Sequence, residues 1–270
     1  MRPPLKGYCY PLTPSGTSSL VGPPPWHYAT EYLNLLFRAD PDKVAPFLPE
    51  PLEPGPDPGL GYVAFSQWWS LWQDRPDLAA THPERTQYRE AAVWVGCSYR
   101  GRPGQICLFI WVDNDFSLAR GWFMGFPKRL GAIEFSEYHP LNPLMPPLES
   151  GTVLRGAALA HGERLMEGTL TLRDRISPQE LPFPLARPLF HIRHFPSIEA
   201  GAPPSVLELV ELGAENVRFG EEVWRGEGTL RLFPSDLEEH TALGELEVLE
   251  GYHYHSGYTF PGGKVLHRWS

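Results

Sequence analysis

Lysine is scarce in this chain: of its 23 basic residues, only four are lysines, namely Lys6, Lys43, Lys128 and Lys264. Arginine stays protonated in proteins, whereas a desolvated lysine can lose its proton and attack a carbonyl carbon. A lysine within an apolar segment of this chain is therefore a candidate for chemistry that arginine cannot perform.

Cysteine is also rare. The three cysteines stand at spacings that match no disulfide framework and no metal or redox motif. Cys97 and Cys107 lie in apolar runs, which predicts buried thiols without a catalytic role.

Several classes of protein are excluded by what is missing. The net charge of -9 provides no basic surface for nucleic acid. The longest apolar run, from Gln105 to Val112, is far shorter than the ~20 residues of a membrane helix. The first residues show no apolar segment typical of a secretory leader, so none is expected. No glycine-rich phosphate loop and no G-x-S-x-G nucleophile motif occurs. We expect a cytoplasmic protein whose partner is a small molecule or another protein.

What is present predicts a mainly β protein of the α+β class. From Leu60 onward, most segments are strand-like and separated by glycine and proline turns, which favours a closed or nearly closed antiparallel sheet. Two short helices are expected, one starting at Asp40-Pro41 and one from Ser235 to Leu243. A last strand is predicted from Tyr258 to Leu266.

The first 26 residues are rich in proline, glycine and serine, which predicts an extended arm on the surface. No shift in composition and no internal repeat divides the remainder. The sequence therefore predicts a single domain over residues 1–270, of which 1–26 form the arm.

The segment "GWFMGFPKRLG" at 121–131 places Lys128 and Arg129 after an almost wholly apolar run. Two interpretations are open. Lys128-Arg129 closes a turn begun by Gly125-Phe126-Pro127 and points into solvent. Alternatively, Lys128 is buried among Trp122, Met124 and Phe126, and desolvation lowers its pKa enough to make it a nucleophile at neutral pH.

Several segments, in this order, resemble the acetoacetate decarboxylase family. They are "TEYLNLLFRADPDKVAPFLPEPLEP" near the start, "YRE" at 88–90, "VDNDFSLARGW" at 112–122 followed by "FPKRLG" at 126–131, "RPLFHIRHFPSI" at 187–198, and "LELVELGAENVRF" at 207–219. The resemblance implies the fold of that family, a β-cone or double β-barrel of antiparallel strands with a few short helices. It also implies homo-oligomers and no cofactor.

The resemblance assigns catalytic roles to three residues. Lys128 matches the Schiff-base lysine of the family, and Glu90 matches its active-site glutamate, which would handle protons near the imine. Arg129 falls where the decarboxylases usually have a second lysine. Trp122, Met124 and Phe126 are the expected apolar contacts of the substrate.

Two departures from the family pattern concern the charge of the pocket. Thr30 stands where the decarboxylases carry an arginine facing the substrate carboxylate, so we assign Thr30 to substrate binding. The strand-like segment "LGYVAFSQWWSLW" at 60–72 lacks the acidic residue expected there.

The resemblance implies a carbon–carbon lyase that decarboxylates a β-keto acid, acetoacetate to acetone and CO2, through a lysine imine. An imine-forming aldolase or dehydratase acting on pyruvate-like α-keto acids is the alternative within the family, and the two departures favour it. A non-catalytic small-molecule-binding protein is the third reading.

A metal site is not expected. His253 and His255 lie two apart, so both face one side of a strand, but no third ligand is identifiable. Packing among aromatic rings is the preferred role. Tyr252, Tyr254 or one of these histidines is a possible hydrogen-bond donor to a ligand.

Overall fold

A computed structural model describes residues 4–139, 141–145, 147–182 and 187–269. Residues 1–3 of the predicted arm lie outside this description. The described residues contain three α-helices: α1 (Pro41–Val44), α2 (Leu78–Thr81) and α3 (Asp115–Met124). The strands are β1 (Trp26–Arg38), β2 (Leu52–Pro54), β3 (Leu60–Trp72), β4 (Gln87–Tyr99), β5 (Arg102–Val112), β6 (Lys128–Leu130), β7 (Ala132–Phe135), β8 (Val153–Ala160), β9 (Glu163–Arg175), β10 (Leu189–Phe195), β11 (Val206–Leu212), β12 (Glu215–Leu232), β13 (Glu247–Phe260) and β14 (Lys264–Arg268).

The strands form one large sheet in the order β14-β11-β10-β5-β4-β3-β1-β13-β12-β9-β8-β7, with β2 attached to β4 and β6 attached to β5. The predicted mainly β class is confirmed. Nearly all pairings are antiparallel, whereas β5 pairs in parallel with both β6 and β10.

The sheet buries both of its faces, so its central strands have two different apolar sides. On β1, the odd-numbered Leu33, Leu35 and Phe37 belong to a core built mainly of aliphatic residues. The even-numbered Tyr28 and Tyr32 belong to a second cluster that is rich in tyrosine and tryptophan. Because successive residues of a strand face opposite sides, the alternation separates a packing core from an aromatic face.

Helix α3 and its boundaries were not anticipated from the sequence. The Asn114 side chain accepts a hydrogen bond from the Phe116 amide at 3.1 Å and starts the helix. Gly125, with φ of 88°, ends it in the left-handed conformation that favours glycine. The helix connects β5 to β6, and a connection of this kind lets the two strands run parallel.

Two of the other predicted elements differ from the structure. The helix expected from Ser235 to Leu243 is reduced to a 3-10 turn over His240–Leu243, because side chains along the segment bind elsewhere: Glu238 pairs with Arg129, and His240 bonds to the Leu165 carbonyl. The strand predicted from Tyr258 to Leu266 is split by the turn at 261–263 into the end of β13 and the start of β14. The helix at Asp40-Pro41 is confirmed, and Asp40 caps it.

The predicted arm runs over the sheet without forming a strand between residues 7 and 25. It is nevertheless anchored, since Cys9 and Val21 are buried and the Arg85 guanidinium bonds to the carbonyls of Ser19 and Leu20. No helix in the described parts of the chain is long and apolar enough to cross a membrane.

Candidate active site

Lys128 is buried, with 7% of its surface exposed. It starts β6 beside Ile110 of β5, so it does not point into solvent from a turn. Its ammonium nitrogen donates to Oε2 of Glu90 at 2.9 Å and to the Ser117 hydroxyl at 2.9 Å. The carboxylate and the hydroxyl hold the amine at one defined position.

The neighbouring elements are built around this lysine. Glu90 lies within β4 and is 5% exposed, and Ser117 lies in the first turns of α3. Gly121 faces the lysine from the same helix: a Cβ added there would lie 2.3 Å from Cδ of Lys128. The glycine therefore leaves the space that the lysine stem occupies.

Arg120 is a third charged group of the site, and it was missed in the sequence. It is 2% exposed and lies against Tyr28 and Tyr88, 5.0 and 5.7 Å from the ring centroids. Its hydrogen bonds go to the hydroxyls of Ser70 at 3.0 Å and Tyr88 at 3.4 Å. Within the described ranges, no carboxylate pairs with it, and a buried cation without a counter-ion is costly. The feature of the sequence that comes closest to indicating Arg120 is its position in "SLARGW", eight residues before Lys128.

The charge state of Lys128 reflects these neighbours. Burial lowers the pKa of the Lys128 ammonium below its usual range, because desolvation penalises the charged form. The Glu90 carboxylate opposes this and raises the pKa, whereas Arg120 adds to the lowering. The site thus contains a buried amine with an acid–base partner in direct contact.

These residues open into a cavity of about 100 Å³, several times the ~10–15 Å³ that one water needs. Its charged lining residues, among those described, are Glu90, Arg120 and Lys128. Most of the remaining wall is aromatic and comes from the even-numbered faces of β1, β3, β4 and β13. A small organic acid fits this space.

The predicted substrate contacts are divided between the cavity and its surroundings. Met124 and Phe126 line the cavity. Trp122 is half exposed and its indole N–H donates to the Lys128 carbonyl at 2.9 Å, so it supports the backbone of the lysine. Thr30 is buried on the aromatic face but does not line the cavity, and its hydroxyl has no hydrogen-bond partner among the described residues.

Arg129 lies outside the cavity, which corrects the expected catalytic position. It follows Lys128 in a strand, so the two side chains point to opposite faces of the sheet. Its guanidinium pairs with the buried carboxylate of Glu238 at 2.9 Å and is 43% exposed.

The histidines singled out in the sequence share one carboxylate partner. His253 and His255 both bond to Glu31, at 2.9 and 3.5 Å; burial would raise the pKa of Glu31, but these hydrogen bonds lower it to about 2. No group of three or more metal-binding side chains occurs in the part of the chain that the structure describes. Of the C-terminal side chains proposed as donors, Tyr254 lines the cavity.

The buried cysteines match the prediction. Cys97 and Cys107 are free and buried, and burial raises the pKa of the Cys97 thiol to about 12. Neither is poised to react as a thiolate.

The fold and the site together are those of a mainly β protein with a buried lysine–glutamate pair in its cavity. The sequence model described as Acetoacetate decarboxylase (ADC) matches residues 9–269. The chain belongs to the acetoacetate decarboxylase family. An acetoacetate decarboxylase of Chromobacterium violaceum is 27% identical over 266 residues, which cover 97% of this chain and 94% of the relative.

Two enzymes of known structure have a higher identity to this chain. The enduracididine biosynthesis enzyme MppR, complexed with pyruvate, is 34% identical with a TM-score of 0.89, covering 99% of this chain and 100% of that one. MppR is also known in complex with the condensation product of pyruvate and imidazole 4-carboxaldehyde. An acetoacetate decarboxylase-like enzyme from Sphingomonas wittichii RW1 is 31% identical with a TM-score of 0.90, covering 98% and 100%.

Proposed function

We propose that this protein is an imine-forming lyase that acts on a pyruvate-like α-keto acid and condenses it with an aldehyde. The observation that carries the proposal is that Arg120 lies in the same cavity as the amine of Lys128. Its guanidinium is buried and bonds to hydroxyl groups, and no carboxylate pairs with it among the described residues. The similarity to MppR, which is known bound to pyruvate, supports the same substrate class.

The two cations flank one ring. Nζ of Lys128 lies 5.0 Å from the centroid of Tyr88, and the Arg120 guanidinium carbon lies 5.7 Å from it. A carboxylate bound by Arg120 brings an adjacent keto carbon toward the amine. Arginine suits this role because its planar N–H groups match a carboxylate.

The chemistry begins when the neutral amine of Lys128 attacks the keto carbon and the carbinolamine loses water to form a protonated imine. Glu90, in contact with Nζ, takes a proton from the neighbouring methyl carbon, and the C–H electron pair moves into an enamine. The enamine carbon then bonds to the aldehyde carbon, and the aldehyde oxygen takes the proton back. Loss of water and hydrolysis of the imine release an unsaturated keto acid and the free lysine.

Acetoacetate decarboxylation is the second candidate, and the family membership together with the Lys128–Glu90 pair favours it. In that reaction the lysine imine of acetoacetate loses its carboxylate as CO2, the resulting enamine is protonated at carbon to an imine, and water hydrolyses this imine to acetone and the free lysine. A carboxylate bound by Arg120 is more stable than it would be unpaired, so the guanidinium stabilises the starting acid more than neutral CO2. This argument favours a reaction in which the carboxylate is kept.

Borohydride trapping tests the proposal. The protein is incubated separately with pyruvate and acetoacetate, reduced, digested and mapped by mass spectrometry. We expect a pyruvate adduct with its carboxylate intact on the peptide containing Lys128, and no such adduct in Lys128→Ala. The exposed Lys264, changed to alanine, is the matched control and leaves trapping intact.

Three results separate the candidates. A pyruvate adduct on Lys128 supports the α-keto acid lyase. An adduct formed only from acetoacetate, with its carboxylate lost, supports the decarboxylase. Binding of either acid without any adduct at Lys128 contradicts both and supports a non-catalytic binding protein.

A further inference from the structure

Four neutral polar side chains line the cavity away from the lysine. They come from β1, β3, β5 and β13, and we call them the distal polar cluster: Asn34, Tyr62, Gln105 and Tyr254. They form two hydrogen-bonded pairs. The Tyr62 hydroxyl donates to Oε1 of Gln105 at 2.9 Å, and Nδ2 of Asn34 donates to the Tyr254 hydroxyl at 2.9 Å.

Two members of the distal polar cluster, Asn34 and Tyr254, are separated across the sheet from Glu90, the residue that contacts Lys128. In the strand order β4-β3-β1-β13, Asn34 lies two strands and Tyr254 three strands from Glu90. Neighbouring strands are ~4.8 Å apart, so the backbones of these two residues lie ~10 and ~14 Å from that of Glu90 as measured along the sheet. A three-carbon acid held at Lys128 and Arg120 therefore leaves the far part of the cavity for another group.

The hydrogen bonding of the cluster is incomplete. Oδ1 of Asn34 is buried and has no partner among the described residues. If the amide oxygen and nitrogen of Asn34 were assigned the other way round, one of the two atoms would still have no hydrogen bond. Buried polar atoms are almost always paired in proteins, so this amide is the natural contact of a ligand group or a water.

The surroundings of the cluster determine what kind of group fits. The charged side chains among the described lining residues are Glu90, Arg120 and Lys128, all at the lysine end. The wall at the cluster includes two parallel aromatic rings, since Tyr62 and Trp94 stack with an interplanar angle of 7°. A planar body ending in a neutral hydrogen-bonding group matches this part of the cavity, whereas a charged end would be desolvated without a counter-ion.

We propose that the distal polar cluster is a specificity site for the second substrate, a planar aldehyde that carries a neutral hydrogen-bonding substituent at the end opposite its carbonyl. This inference rests on the proposed condensation at Lys128. It adds the residues that select the aldehyde and the chemistry they select. Asn34 is the residue on which the selection depends most.

Three aldehydes of nearly equal shape test this selection: benzaldehyde, 4-hydroxybenzaldehyde and 4-carboxybenzaldehyde. Each is condensed with pyruvate, and kcat/KM is obtained from the product measured by chromatography and mass spectrometry. We expect the hydroxyl compound to be preferred over benzaldehyde by roughly tenfold, the effect of one buried hydrogen bond, and the carboxylate compound to react slowest.

The variant Asn34→Leu should remove the preference for the hydroxyl compound while pyruvate trapping at Lys128 continues, which shows that the variant folds. Tyr62→Phe is the second variant and should weaken the same preference. Asn142→Leu, in an exposed loop, is the matched control and keeps the wild-type preference. An unchanged preference in both cavity variants, or a preference for the carboxylate compound, overturns the inference.

Binding separates this inference from the proposed function. The unreactive benzyl alcohol and 4-hydroxybenzyl alcohol are titrated into wild type and Asn34→Leu by calorimetry. A tighter Kd for the hydroxyl compound in wild type alone supports the site even if pyruvate is not trapped, in which case only the condensation fails. Equal Kd values for both alcohols in wild type reject the site even if trapping succeeds.

Discussion

At the residue scale, the central feature is an amine whose protonation depends on its burial and on two charged neighbours. Burial and Arg120 lower the pKa of Lys128, and Glu90 raises it. Only the unprotonated amine attacks a carbonyl, so the rate of imine formation rises with pH through the pKa of Lys128 and then levels off. The sign of each neighbour's effect is therefore measurable as a shift of this profile.

Removing the charge of Glu90 should move the profile. In Glu90→Gln, the charge that raises the pKa of Lys128 is gone, while burial and Arg120 still lower it. We expect the inflection in the pH dependence of borohydride trapping to move to lower pH than in wild type. Glu199→Gln, at an exposed position, is the control. A shift to higher pH would mean that Glu90 does not stabilise the charged amine.

Arg120 should distinguish carbonyl compounds with a carboxylate from those without one. In Arg120→Gln, we expect the trapping rate of pyruvate relative to that of acetone to fall by about ten- to a hundredfold, because a hydrogen-bonded charge pair is lost. A change in the pKa of Lys128 affects the trapping rates of both compounds equally, so it leaves their ratio unchanged. The exposed Arg173→Gln serves as control, and an unchanged ratio in Arg120→Gln would exclude the carboxylate role.

At the scale of elements, α3 brings together most of what the sequence did not reveal. Its residues Ser117, Arg120 and Gly121 face the lysine and the cavity, a set that follows from helical spacing once the helix is known. The sequence of α3 does not show a clear helical period, because apolar residues would lie on several sides of the helix. The Asn114 cap and Gly125 are its local signals.

Other elements were predictable because a local rule decides them. Asp40 followed by Pro41 is a local signal for the start of a helix, because the Asp40 side chain caps the first turn and proline fits its first position. The central strands were found as apolar runs, whereas long strands such as β12 extend beyond such runs because cross-strand pairing continues through polar residues. Lys128 was singled out by the scarcity of lysine and by its apolar segment, and the family resemblance supplied its role. Glu90 came from the family resemblance alone, since nothing local distinguishes a buried glutamate from one on a loop.

Gly121→Ala tests the fit between α3 and the lysine. Alanine favours a helix by about 1 kcal/mol over glycine, but here its Cβ would lie 2.3 Å from Cδ of Lys128. We expect a folded protein that no longer traps pyruvate at Lys128, because the amine is displaced from Glu90 and Ser117. Gly96→Ala, where the nearest atom to the new Cβ would be 3.6 Å away, is the control. Normal trapping in Gly121→Ala would refute this packing.

At the scale of the whole molecule, the sheet separates stability from chemistry. One face packs an aliphatic core, and the other presents the aromatic cavity. Alternation along β1 and β3 predicts this division only after the strand register is known, because both faces are apolar and composition alone does not tell them apart. The placement of Arg129 outside the cavity follows from the same alternation.

A substitution in the aliphatic core should affect stability without removing the chemistry. Leu33 is fully buried there, so Leu33→Ala should lower the free energy of unfolding by about 2–5 kcal/mol in denaturant titrations. The folded fraction should still trap pyruvate. Leu33→Met, which conserves volume, should cost less than ~1.5 kcal/mol. Loss of trapping in fully folded Leu33→Ala would show that the two faces are coupled.

Assembly is a further property of the whole molecule. We predict homo-oligomers, as the family resemblance implies, and expect light scattering after size-exclusion chromatography to give a multiple of the 30.5 kDa chain mass. A mass equal to one chain across the concentration range would contradict this prediction.

The most direct measurement is a crystal structure of the protein after reduction with borohydride in the presence of pyruvate. The account predicts a covalent bond between Nζ of Lys128 and the former keto carbon, with the substrate carboxylate within hydrogen-bond distance of the Arg120 guanidinium and the methyl carbon beside Glu90. An unmodified Lys128, or an adduct whose carboxylate lies away from Arg120, would contradict it.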